Sequence, residues 1–222
     1  MKKKKIYVYA ISKNEEKFAK RWYESVKSAD GIYVLDTGST DNTVKILKEL
    51  GAKVTTKEIK PWRFDVARNE SLKLVPLDAD ICVCIDIDEV ISPNWREKLE
   101  EILENEKVNH VRYIYNWSHD ENKNPKVSFY YEKIHARKNF KWINPVHEVL
   151  KYTGSNEVWA TTNDIIVDHY PDSSKSRSSY LPLLELSVKE DPYNDRNVHY
   201  LGREYMYYGK LNEAIDTLIY HL

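Results

Sequence analysis

The chain has 222 residues, with 34 Lys and Arg against 35 Asp and Glu and a formal net charge of -1. That balance excludes bulk electrostatic capture of nucleic acid, and an aromatic content of 12% excludes a disordered chain. No apolar run approaches the ~20 residues of a membrane span; the length suits one domain of ~150–200 residues with a short appendage.

Residues 2–5 are all lysine, and an apolar stretch follows at 6–11. It turns polar at Ser12-Lys13-Asn14-Glu15, short of the ~7–15 apolar residues of a secretory leader. The expectation is a solvated basic tail entering a first strand, 6–12, in a cytoplasmic protein. Residues 15–28 read as a helix, with Phe18, Trp22 and Val26 on one face. A buried strand follows at 31–36. Ser39 or Thr40 is expected to cap the next helix, which carries Val44, Leu47 and Leu50 on one side and ends at Gly51. A third strand is expected at 52–56 and a third helix at 65–74. Residues 81–85 (Ile-Cys-Val-Cys-Ile) are wholly apolar, as in a strand buried on both faces. Its two cysteines, Cys82 and Cys84, share one face. A disulfide between them would strain the strand, so both are expected reduced, buried and structural. Pro93 opens a helix through Leu103. This β-α order implies an α/β fold with a mostly parallel sheet.

The middle of the chain changes character. Residues 108–117 and 127–137 are aromatic and β-prone, separated by a polar turn at 118–125, and read as an antiparallel hairpin added to the sheet. A further strand is expected at 164–168. Helices are expected at 177–190, 197–208 and 212–222, broken at Asp191-Pro192 and at Gly209.

Ligands of open parallel sheets bind beyond the carboxyl ends of the strands. Two acidic positions fall there. Asp36 opens the turn Asp36-Thr37-Gly38-Ser39-Thr40-Asp41-Asn42-Thr43, and Asp86-Ile87-Asp88-Glu89 follows the 81–85 strand. Carboxylates in such places suit a divalent cation and a ribose. Asp36 also has a purely structural reading, as a turn former. A second Asp-x-Asp, Asp78-Ala79-Asp80, lies at the amino end of the strand and is assigned to a solvated turn.

Four separate segments together resemble a family-2 glycosyltransferase of the GT-A fold. They are Ile11-Ser12-Lys13-Asn14-Glu15-Glu16, the 34–43 segment, Phe64-Asp65-Val66-Ala67-Arg68-Asn69, and Ile85-Asp86-Ile87-Asp88-Glu89. Pro145-Val146-His147-Glu148 and Val167-Asp168-His169-Tyr170 resemble a subgroup with lipopolysaccharide-core glucosyltransferases and sublancin-type peptide S-glycosyltransferases. The resemblance implies a UDP-sugar donor, with glucose the expected sugar, and Mn²⁺ or Mg²⁺. Asp36 would bind the uracil or ribose, Asp65 and Arg68 would help hold the nucleotide, and Asp86 would contact the ribose. Asp88 would bind the metal, with Asp86 and His169 completing the ligand set. For Arg68 the alternative is a surface salt bridge to Asp65 or Glu70. Glu148 is the candidate base, with His147 the alternative. Lys175 and Arg177 are candidates to close over the diphosphate. The aromatic side chains Trp62, Trp117, Tyr130, Tyr131 and Trp142 suit sugar or base stacking, with core packing the plainer reading.

The tail follows the tetratricopeptide spacing at Leu201-Gly202, Tyr205, Gly209, Leu211, Ala214 and Leu218, with Val198 where Trp is usual. The expected organisation is a catalytic domain, 1–176, and tetratricopeptide-like helices, 177–222. Such helices cannot bury their faces alone, so the expectation is either a piece of a longer repeat protein or last helices that pack on the catalytic domain or on a second copy as a homodimer. The expected function is a metal-dependent, inverting transfer from a UDP-sugar to a saccharide, lipid-linked glycan or peptide side chain. Two alternatives are a sugar-nucleotide nucleotidyltransferase, which needs a Gly-rich loop absent after the first strand, and a non-catalytic adaptor.

Overall fold

The structure, a computed structural model, describes residues 3–172 and 178–221. An eight-stranded mixed sheet runs through it. Its strands are β1 (Ile6–Ser12), β2 (Gly31–Asp36), β3 (Lys53–Thr56), β4 (Ile81–Cys84), β5 (Glu89–Ile91), β6 (His110–His119), β7 (Pro125–Ala136) and β10 (Trp159–His169). Their order is β3-β2-β1-β4-β7-β6-β10-β5. The first four are mutually parallel, as alternation with helices dictates. The helices concerned are α1 (Glu16–Val26), α2 (Thr43–Leu50) and α3 (Phe64–Leu74). The expected hairpin is β6 and β7, paired antiparallel, with β7 joined antiparallel to β4. Strand β10 returns parallel to β6 and antiparallel to the short β5. A separate ribbon pairs β8 (Phe140–Ile143) with β9 (Val149–Tyr152). The sequence reading did not anticipate β5, β8 or β9.

The apolar core follows the periodicity. Trp22 and Val26 of α1 and Leu47 of α2 pack on Ile6, Val8, Val34 and Val83. Strand β4 is buried at every residue, and its cysteines are free. Burial pushes both thiols up to about 12, so they stay protonated and inert. Asp78 and Asp80 are exposed in a turn and engage Lys5. Gly51 ends α2 with φ 109°, a left-handed cap that suits glycine. The cap at the other end differs from expectation. It is Asn42, with no side-chain cap bond, because Ser39 is committed to Asp36 and Asn14.

Helix α4 (Trp95–Ile102) precedes the hairpin, and α5 (Tyr180–Glu190), α6 (Asp195–Tyr207) and α7 (Leu211–His221) close the chain. Helices α5 and α6 are built onto the α/β body. Leu181, Leu184 and Leu201 share a cluster with Val146, Trp62 and Phe64. Helix α7 packs on α6, where a Cβ at Gly202 would lie 2.6 Å from Leu218. No helix among the described residues is long and apolar enough to cross a membrane.

Candidate active site

Strands β1, β2 and β4 carry the site residues at their carboxyl ends. The loop after β2 is organised by Asp36, which is fully buried. Its carboxylate accepts hydrogen bonds from the Ser12 hydroxyl, the Ser39 hydroxyl and the Gly38 and Ser39 amides. Four acceptor positions are about what a carboxylate offers, so Asp36 shapes the loop. Nucleotide contact through it would require exchange of one of these bonds. Gly38, at φ 112°, takes the left-handed turn that lets its amide fold back on Asp36.

The centre of the site is a chain of buried charges. Arg68, on α3, is buried. It holds Asp86 through both terminal nitrogens and donates from Nε to Glu148 at 2.9 Å. This corrects the alternative of a surface bridge to Asp65 or Glu70. Two links bring α3 to the Glu148 loop. The Phe64 amide donates to the Pro145 carbonyl at 2.9 Å. Asn69 exchanges two hydrogen bonds with the Trp142 backbone. Asp65 faces the other way. It pairs with Arg63, which also reaches Glu190 of α5, so Asp65 anchors the tail rather than Arg68.

Lys133, on β7, was not singled out from the sequence. Its ammonium lies 2.7 and 2.8 Å from the two oxygens of Glu89 and 3.1 Å from Asp86. Glu89 also accepts from the Tyr115 hydroxyl and the Asp86 amide. Strand alternation held the signal, since Lys133 shares a face with Tyr131 and His135. Burial works to raise the Asp86 carboxyl, but Arg68 and Lys133 outweigh it and hold the group well below the usual range. Burial prevails at Glu89, whose carboxyl is raised despite Lys133. The chain comprises three acids (Asp86, Glu89, Glu148) and two bases (Arg68, Lys133), so it carries a surplus negative charge when all are ionised.

Asp88 stands beside this chain. Its carboxylate lies 3.4 Å from His169 Nε2, and its carbonyl accepts from the Tyr170 amide, which ties the segment to the end of β10. His169 Nδ1 lies 3.1 Å from the Trp117 carbonyl. An Nδ1–H donated there turns Nε2 toward Asp88, where a protonated ring pairs with the carboxylate and a deprotonated one would offer its lone pair to a cation, its ring oriented from behind. The expected three-residue set is not assembled. Asp86 is drawn onto Arg68 and Lys133, and no group of three or more His, Cys, Asp or Glu side chains suited to a metal occurs among the described residues. Of the three, Asp88 and His169 are the pair whose side chains face each other and could hold a cation.

Glu148 and His147 separate clearly. Asn144 and His147 both have positive φ, and the loop bends back on itself there. The His147 ring stacks on Tyr200 of α6, with centroids 4.1 Å apart, and meets Tyr180 of α5 edge-on. Glu148 instead opens on a cavity of about 520 Å³ between β7, β9 and α6. Tyr130 and Tyr131 line that cavity, whereas Trp62 packs in the apolar clusters and Trp117 is exposed. Lys175 and Arg177 lie outside the described residues.

Fold and site together define an α/β domain with an acidic site at the carboxyl ends of its parallel strands. The profile described as Glycosyl transferase family 2 matches residues 7–152, and the chain belongs to that family. Its sheet, mostly parallel with β7 and β5 running against the other six strands, has the arrangement expected of the GT-A fold. The chain is 38% identical over 112 residues to an uncharacterized glycosyltransferase of Rickettsia typhi, covering 50% of this chain and 36% of that protein. It is 36% identical over 111 residues to one of Rickettsia conorii, covering 50% and 37%. The match thus spans little more than a third of the length of these relatives. Among solved structures it is similar to glucosyl-3-phosphoglycerate synthase from Mycobacterium tuberculosis in complex with Mn²⁺ and UDP-glucose. Identity there is 26%, coverage 50% of this chain and 44% of that one, and the TM-score 0.43. The same enzyme with phosphoglyceric acid gives 26% identity, the same coverage and a TM-score of 0.44.

Proposed function

We propose that this chain is a metal-dependent, inverting glycosyltransferase acting on a UDP-sugar, with glucose the favoured sugar. The observation that carries the reading is the double grip of Arg68, which ties Asp86 at the end of β4 to Glu148 at the mouth of the cavity. One guanidinium thereby fixes a donor-side carboxylate relative to a candidate base. Glu148 takes the proton from the acceptor's hydroxyl or thiol as that atom bonds to the anomeric carbon. The bond from that carbon to the diphosphate breaks on the opposite face, and the electron pair leaves with the nucleotide. Asp88 and His169 would hold the divalent cation, which supplies positive charge to the departing diphosphate. Asp86, kept ionised by Arg68 and Lys133, is a ready acceptor for ribose hydroxyls. Helix α6 lines the cavity beside Glu148, which supports a role for the helical tail, read as tetratricopeptide-like, on the acceptor side.

The test is thermal shift and donor hydrolysis with a panel of nucleotide sugars, with and without Mn²⁺. Metal-dependent stabilisation by a UDP-sugar is expected, and its absence across the panel would overturn the reading. Asp88→Ala is expected to abolish the Mn²⁺ dependence. Unchanged turnover in that variant would remove the metal assignment.

A further inference from the structure

The cavity beside Glu148 has a wall that family membership does not supply. One side is β7, with Tyr130 and Tyr131, and the other is α6, with Asp195, Arg196 and Tyr200. Helix α6 lies beyond residues 7–152, the segment that matches the family. It is tied to the Glu148 loop because Tyr200 stacks on His147, the residue before Glu148. Asn197 of α6 also approaches Asn144 in the same loop, at 3.5 Å.

The lining is aromatic and nearly balanced in charge. Tyr130 is half exposed, and its hydroxyl donates to Asn163 at 2.7 Å, which fixes the ring. Three charged groups of the lining are already paired: Glu132 with Arg112, Lys133 with Glu89, and Glu148 with Arg68. The α6 wall brings Asp195, Arg196 and His199 to the same lining, of which Asp195 and His199 also engage other groups of the chain. Such a lining lacks the concentrated positive charge that a phosphate or carboxylate needs. It offers aromatic rings for the C–H face of a ligand, and donors and acceptors together for its hydroxyls. About 520 Å³ lies within the ~300–1,000 Å³ of small-molecule sites and admits a sugar ring with part of its neighbour.

We infer that this cavity is the acceptor site and takes an uncharged pyranose ring, with α6 as the wall that sets acceptor choice. The inference rests on the glycosyltransferase reading. A free sugar and the terminal sugar of a larger glycan share this chemistry.

Saturation-transfer NMR with the methyl β-pyranosides of glucose, galactose and mannose tests it, using wild type, Tyr130→Ala and Arg196→Ala in the presence of UDP and Mn²⁺. Both substituted side chains are exposed, so the fold is expected to persist. At least one pyranoside is expected to saturate, and each substitution is expected to weaken it roughly tenfold, the loss of a stacking or charge-assisted contact. Glucose 1-phosphate is not expected to compete better than the neutral sugar. Failure of all three pyranosides to saturate would overturn the inference, as would wild-type affinity in both variants or tighter binding of glucose 1-phosphate. The thermal shift of wild type with UDP and Mn²⁺ is read separately. Its loss alone would count against the glycosyltransferase reading, and its presence without pyranoside binding would count against the acceptor site only.

Discussion

Replacing Lys133 by Met removes the ammonium that lies between Glu89 and Asp86. The side chains of Lys133 and Glu89 are only 3% and 2% exposed, so water cannot substitute for the lost partner. Asp86 keeps Arg68, whereas Glu89 keeps only neutral donors, Tyr115 and the Asp86 amide. Breaking a buried pair in this way typically costs about 3–5 kcal/mol. Protonation of Glu89 caps the electrostatic part. Neutralising a carboxyl of ordinary value near 4.5 costs about 3.4 kcal/mol at pH 7 and about 0.7 kcal/mol at pH 5, at about 1.36 kcal/mol per unit. The sign is consistent with linkage. An acid raised in the folded state binds more protons there than when unfolded, so stability falls as pH rises through the window. Lys133→Met should therefore lose about 3 kcal/mol at pH 7 and about 1 kcal/mol at pH 5. Adding Glu89→Gln should recover most of the loss at pH 7. Urea unfolding followed by tryptophan fluorescence at both pH values measures this. A loss independent of pH, or additive with Glu89→Gln, would refute the account.

His135 is buried between Tyr9, at 2.8 Å, and the Ala136 carbonyl, at 2.7 Å. Burial pushes it down to about 3. Its folded value lies below its unfolded one, so its contribution is complete above about pH 6.5. That contribution should fall by about 1.4 kcal/mol per unit between about pH 6 and pH 4, as the difference in unfolding free energy between wild type and His135→Asn; equal slopes would count against it. Gly202→Val drives side-chain atoms into Leu218 and should cost about 1–3 kcal/mol. Hydrogen exchange should show α7 losing protection while β1 and β4 keep theirs. Mn²⁺ affinity in the presence of UDP should weaken as pH falls through the His169 value. Burial works to lower that value, but Asp88 prevails and raises it above the ordinary imidazole value, and a ligand nitrogen must be deprotonated. Calorimetric titration showing affinity flat between about pH 8 and pH 5, a range that spans the ordinary imidazole value, would remove His169 from the site.

The first four strands of the sheet and their helices were legible in the sequence because their signals are local. Apolar runs at 31–36 and 81–85, helix faces of 3.6-residue period and the glycine at 51 need no knowledge of distant neighbours. The acidic segments at Asp36 and Asp86 to Glu89 were legible for the same reason, since a strand end is a position along the chain. The roles within those segments were not. Four donors within the local structure engage Asp36, and Asp86 turns to Arg68 and Lys133, because a buried carboxylate goes to the nearest donors and cations that folding supplies. Lys133 sits 47 positions from Asp86 and Glu148 sits 80 from Arg68, distances over which sequence pattern carries no pairing information. The order of motifs along the chain thus determined the family and the first four strands of the sheet. Tertiary packing alone decided that α6 closes a cavity over Glu148, because the stacking of Tyr200 on His147 joins two segments with no local reason to meet.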